Sequence, residues 1–444
     1  MPKSRSHRRR LAWRQWIRTW RAWLTPGLGI KRWLLLLFLG VVFLAVGTAI
    51  AVLHVYRTAP ETWWLPLLSS ASLRFLPRWL RALIFGVTGA ALLLGGLWGL
   101  HRSLLAPFLQ TGKPVVETLA AFRLRERGPH VAVLGGGHGQ STLLRGLKQV
   151  THNITAIVSV ADDGGSSGRL RHDLGILPPG DIRNCLAALS DDEDLLAQLF
   201  QYRFPQAYGD LAGHSFGNLF LTAMIGLTGS FEQAVLEAGR VLSIYGRVVP
   251  ATLDPVELRA DLRLPFQSQT VVVRGESTIP QVQGHIRRVW LEPDRPRAFP
   301  PAVQAVLAAD MVVVGPGSLF TSLLPNLLVP ELAQALRAAR GLRVFVVNVA
   351  TQPGETDGFS AQEHVRVVEE HVGPGLFDVV LVNTGHYGPL PPGVAWVTEA
   401  PGQPFPYPVV RADVASETQP GRHDPNKLAR ALMRILEQRT GPLP

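Results

Sequence analysis

The chain has 444 residues, 47% of them hydrophobic, and a formal net charge of +11. That excess sits at the start: residues 1–32 hold 10 Lys/Arg and no acid, whereas residues from 129 onward hold 25 Lys/Arg against 30 Asp/Glu. The globular part is therefore mildly acidic, which argues against a nucleic-acid backbone as partner, and the single Cys185 excludes an internal disulfide.

Taken in chain order, a basic tail (1–32) precedes two uncharged apolar runs. Trp33 to Val55 spans 23 residues and Ala82 to Leu100 spans 19, roughly 34 Å and 28 Å as helices. Both match a hydrocarbon core of about 30 Å. Arg8-Arg9-Arg10, Arg14, Arg18 and Arg21 place the tail on the cytoplasmic side by the positive-inside rule, and the connection carries fewer cations. The expectation is a transmembrane hairpin (33–100) in the cell's inner membrane, with both termini and the globular domain cytoplasmic. Ala49-Ile50-Ala51 resembles a signal-peptidase site. Its apolar run, however, exceeds the usual length of about 7–15 residues, and a second run follows. Residues 101–128 read as a juxtamembrane linker, with Pro107 and Pro114 discouraging one continuous helix.

From 129 to 440, short β-branched runs alternate with helical stretches, the pattern of a parallel sheet covered on both faces. Strands are expected at His130–Leu134, Ile154–Val160, Val271–Val273, Met311–Val314, Val344–Val349 and Val379–Val382. Helices are expected over Ser141–Gln149, Asp181–Leu189, Leu195–Gln201, Gly217–Leu227, Phe231–Leu242, Ala302–Ala308 and Glu331–Ala339. Ser360 and Glu363 form a capping box, and Asp424-Pro425 opens a last helix. The fold class is α/β, doubly wound and mostly parallel.

Two glycine turns carry the chemistry. Gly135-Gly136-Gly137-His138-Gly139-Gln140 follows the first strand, and Gly315-Pro316-Gly317-Ser318 follows the strand Met311–Val314. Such turns leave backbone amides at the positive end of a helix dipole, ready for an anion. The first is neither the dinucleotide fingerprint, whose third glycine falls on Gln140, nor a Walker loop, which needs a Lys-Ser/Thr pair. Asp162 and Asp163, about 27 residues after Gly135, have three readings. They accept ribose hydroxyls, hold Mg²⁺, or close an Asx-turn. Arg169 and Arg171 are placed to meet phosphates.

Gly213-His214-Ser215-Phe216-Gly217 has the spacing of a nucleophile elbow, but the preceding segment is polar and broken by Pro205 rather than a strand. His214, Ser215 and Asn218 are accordingly expected as polar groups at a helix N-terminus. Thr351-Gln352-Pro353-Gly354-Glu355-Thr356 lands at the same carboxyl edge of the sheet.

With Pro178-Pro179-Gly180-Asp181-Ile182-Arg183-Asn184-Cys185-Leu186 between them, these segments, taken in order, resemble the YvcK/CofD family, and its YvcK branch in particular, the gluconeogenesis factors. The match runs over roughly residues 130–435. The resemblance implies a Rossmann-like domain that binds a nucleotide-sugar, typically a UDP-sugar, and a role in cell shape and envelope synthesis during gluconeogenic growth. The CofD branch instead transfers phospholactate from a guanosine diphosphate donor to a deazaflavin with Mg²⁺. Ser166-Ser167-Gly168-Arg169 and Thr351–Thr356 favour the YvcK branch. Two departures stand out: His138 replaces the family's usual threonine, and typical members lack the hairpin.

The expected ligand-binding set is Gly135, Gly136, Gly137, Gly139, Gln140, Asp162, Asp163, Ser166, Ser167, Arg169, Asn184, His214, Ser215, Asn218, Gly315, Pro316, Gly317, Ser318, Thr351, Gln352 and Arg422. Asp162 and Asp163 are the candidate metal pair. No nucleophile and base stand out as a catalytic pair, so a regulator is expected ahead of an enzyme, and a homodimer is compatible with the sequence.

Overall fold

The computed structural model describes residues 128–440 apart from 191–194, 265–269 and 283, with only isolated positions before 128. The spans expected at 33–55 and 82–100 thus lie outside the described residues, save for single helical positions. Among the described residues no single helix is long and apolar enough to cross a membrane. Residues up to Arg123 form one unit and those from Leu124 another.

In the second unit, β1 (Val131–Gly135) leads into α1 (Gly137–Leu147) and β2 (Ile154–Val158) into α2 (Gly165–Leu174). Helices α3 (Gly180–Leu189), α4 (Leu195–Gln201), α5 (Phe216–Thr228) and α6 (Phe231–Val241) precede β3 (Arg247–Pro250). Then come β4 (Glu257–Arg263), β5 (Thr270–Arg274), β6 (His285–Glu292), α7 (Pro300–Ala308) and β7 (Met311–Val314). The remainder is α8 (Pro330–Ala338), β8 (Leu342–Val346), α9 (Ala361–Val372), β9 (Val379–Asn383), β10 (Val409–Ala412) and α10 (Pro425–Thr440).

Seven strands form one parallel sheet in the order β10-β9-β8-β7-β1-β2-β3. The β-branched runs are buried on both faces, as a covered parallel sheet requires. Strand alternation deals their side chains into two cores. Ala132, Leu134, Val312, Val314 and Phe345 pack with Val306 of α7, Leu332 of α8 and Val365 of α9. Val131, Val133, Met311, Val313 and Val344 pack on the other face with Leu143 and Leu147 of α1 and with Leu428, Leu432 and Leu436 of α10. The first and last helices therefore lie together, and a Cβ on Gly146 of α1 would run into the backbone of Pro425.

One expectation is corrected. Val271–Val273 is not in the parallel sheet. It belongs to a separate antiparallel sheet, β5-β4-β6, where β5 pairs only with β4 and leaves Val272 53% exposed. A short apolar run reads the same in a covered strand and an exposed edge. In β4 and β6 every second or third side chain is inward, Leu258, Ala260 and Leu262 against Ile286, Val289 and Leu291, and these join the first core.

Candidate functional site

The order of strands reverses between β1 and β7, where a doubly wound sheet opens a crevice at its carboxyl edge. Both glycine turns sit there. A cleft of about 490 Å³ is lined by Gly136, Gly137, His138, Gly139, Pro316, Gly317, Ser318, Thr351, Gln352 and Arg422, among others.

The two turns do different work. Gly137 has φ +60 and starts α1, whose first turn has no side-chain cap. The amides of His138 and Gly139 have no hydrogen-bond partner among the described residues, so they stand at the dipole's positive end facing the cleft. Gly139 is glycine for another reason: a Cβ there would lie 2.5 Å from the Pro316 carbonyl oxygen and 2.8 Å from Gly317 Cα. The second turn thus packs directly on the first. In the second turn Gly315 N–H donates to Leu134 O at 3.0 Å and Gly317 N–H to Asn348 Oδ1 at 3.2 Å, while Pro316, Gly317 and Ser318 line the cleft. Gln140 is interior, its amide donating to Val133 O (2.9 Å) and Ile157 O (3.0 Å) across β1 and β2.

Several expected residues lie outside the cleft lining and form a polar cluster behind it. His214 Nδ1 meets Ser166 Oγ at 3.1 Å, and Asn218 Nδ2 donates to Ser166 Oγ (3.1 Å) and Ser167 Oγ (3.3 Å). Ser215 is buried and caps α5 by accepting from Asn218 N–H, which makes it a helix cap rather than an exposed nucleophile. Arg169 donates to Ala212 O at 2.7 Å, and Asn184 Oδ1 accepts from Arg183 at 2.8 Å.

Asp162 Oδ1 accepts from Gly164 N–H at 2.9 Å, an Asx-turn. Asp163 Oδ1 accepts from Ser277 N–H at 2.8 Å, tethering the connection between β5 and β6. Among the described residues no group of three or more His, Cys, Asp or Glu side chains converges as a metal site. Each of the two carboxylates commits Oδ1 to a backbone donor.

Four acids nonetheless gather in and behind the cleft lining. Burial and then the neighbouring Asp162 push Asp181 up to about 7, against the pull of the Gly137 amide and Arg183. Part of its surface stays open to water. Asp162 is raised by burial first. Glu276, delivered by the small sheet, is raised well above the carboxylate range by burial and by Asp181, Asp162 and Glu355. Glu355 is raised by burial while accepting from Ser318 Oγ at 2.6 Å. The mouth has the opposite sign: burial lowers His138, as do Arg422, Arg183 and Arg145. The cleft lining thus holds two carboxyls raised by burial, Glu276 and Glu355, together with the Arg422 guanidinium.

The motif reading did not select Asp181, Glu276, Asn348 or Glu355. Asp181 and Glu355 stood inside segments singled out for other residues, whereas nothing local marks Glu276.

Fold and cleft together define a doubly wound α/β domain with an uncapped helix N-terminus at its switch point. Comparison narrows this class. The family model "2-phospho-L-lactate transferase CofD" matches residues 131–390. A putative gluconeogenesis factor of Nostoc sp. is 43% identical over 440 residues, covering 94% of this chain and 93% of that protein. The gluconeogenesis factor of Bacillus subtilis is 50% identical over 256 residues, 58% of this chain and 79% of that one. The crystal structure of a UPF0052-family protein from Bacillus halodurans is 40% identical with a TM-score of 0.63, covering 69% of this chain and 99% of that one. The chain belongs to the CofD/YvcK family, among the gluconeogenesis factors.

Proposed function

We propose that the protein is a membrane-tethered, cytoplasm-facing regulator that binds a nucleotide-sugar, with a UDP-sugar as its ligand, and supports envelope synthesis and cell shape during gluconeogenic growth. The observation that carries the reading is the pair of unpartnered amides at His138 and Gly139 in a cleft shared with Arg422. Amides and guanidinium suit a diphosphate. Glu276 and Glu355 in the cleft lining, both raised by burial, suit hydrogen bonds to sugar hydroxyls. The tether is supported by the two apolar runs of membrane length. The Nostoc relative also matches 94% of the chain, so its similarity runs well outside residues 128–440 into that part.

Calorimetric titration of the full chain in detergent with UDP-glucose, UDP-N-acetylglucosamine and GDP tests the ligand class. Saturable UDP-sugar binding with little response to GDP is expected. Tight GDP binding without UDP-sugar binding would replace this reading with the transferase one.

A further inference from the structure

We propose that Arg183 is a waiting counter-ion for a phosphate group bound beside His138. Identifying that phosphate as part of a nucleotide-sugar rests on the reading above; the anion site itself does not. Arg183 lies on α3, two residues after Asp181, whose carboxyl abuts Gly136 and Gly137 of the glycine turn. Its side chain is 7% exposed, with Cγ and Cδ packed against Gly217 at the start of α5. One Nη donates to Asn184 Oδ1 at 2.8 Å, whereas the buried Nε has no partner. Among the described residues Arg183 has no ion pair.

Two other arginines show the paired alternative. Arg343 forks onto Asp378 at 2.6 and 3.0 Å, and Arg411 onto Glu399 at 2.6 and 2.7 Å. A guanidinium left buried and unpaired is costly unless an anion arrives. The acids in electrostatic reach, Asp181 and Asp162, are themselves held toward their neutral forms. Burial and then Arg203, a like charge, oppose the cation on Arg183. His138 in the cleft lining feels Arg183 together with Arg422 and Arg145. Arg183 thus adds to the positive field at His138, next to the free α1 amides, while its Nε is left without a partner. A dianionic or diphosphate group fits that position.

Arg183→Met keeps the packing on Gly217 and removes the charge, and the two roles predict opposite results. For a waiting counter-ion, the ligand-free variant unfolds at the same or a higher temperature than wild type. Its affinity for inorganic pyrophosphate and for UDP-glucose should fall about 30-fold or more. Arg183→Lys, which keeps charge without the fork, recovers part of that loss. Failure of Arg183→Met to fold, or a lowered melting temperature with unchanged affinity, makes the residue structural and overturns the proposal. Wild type that binds neither probe overturns it as well. Pyrophosphate binding lost in Arg183→Met, with no UDP-glucose binding by wild type, leaves Arg183 in place and removes only the nucleotide-sugar reading.

Discussion

Asp181 is the group whose titration says most about the cleft. Its carboxyl rests against the glycine turn and ionises near pH 7 in the folded protein, against 3.8 as the ordinary value. Between these values the folded state keeps a proton that the unfolded chain has released. Stability from this residue is therefore complete below about pH 4 and lost as pH rises through about 7. A shift of about three units corresponds to about 4 kcal/mol, with a slope of up to about 1.4 kcal/mol per pH unit in the window. Part of Asp181 remains accessible to solvent, which reduces this figure. Asp181→Asn mimics the protonated form at every pH. Urea unfolding at intervals from pH 4.5 to 8 should show the two proteins nearly equal at the acid end. The variant should become progressively more stable toward pH 8, by about 2–4 kcal/mol. Asp162 and Glu276 keep their own titrations, so some slope persists in both. A constant offset between the two curves would refute the reasoning, since it would mean that Asp181 carries the same charge throughout.

Gly139→Ala drives a Cβ into the backbone of Pro316 and Gly317. It should cost about 1–3 kcal/mol in urea melts, and an unchanged midpoint would show that the turns are not in contact. His423, buried in the cleft wall, is lowered to about 4 by burial. Its stability is present above pH 6.5 and lost as pH falls toward 4. His423→Gln should therefore remove up to about 3 kcal/mol of acid lability, and an identical acid limb in both proteins would contradict this. A topology reporter inserted after Ser70 should be outside the cytoplasm while reporters at both termini are inside; a cytoplasmic Ser70 signal removes the hairpin.

The parallel sheet was legible because β1, β2, β7, β8 and β9 are short β-branched runs, and double burial selects that composition. Strands β3 and β10 are edges of four residues with a single Val-Val pair each, too short an apolar run to mark a strand. Both glycine turns were placed correctly at the carboxyl edge. Their packing on each other was not readable, because the bond to Asn348 and the contact of Gly139 with Pro316 are set by tertiary structure. The Gly213–Gly217 segment shows why a pattern needs its context. Without a strand before it, Ser215 becomes a cap. Glu276 was invisible for the opposite reason: an ordinary loop glutamate gains its character only when the small sheet brings it beside Asp181, 95 positions earlier in the chain.

The pairing of α1 with α10 bears on biosynthesis. The helix that presents the free amides is made early, but the surface covering it, together with Arg422 and His423, is made last. During synthesis at about 5–20 residues per second, α1 waits roughly 15–60 s for its cover. Until then the ribosome-bound chain exposes Leu143 and Leu147 and lacks part of the cleft wall. The finished cleft wall thus exists only once translation has passed α10, so the site is a property of the complete domain and not of the nascent one.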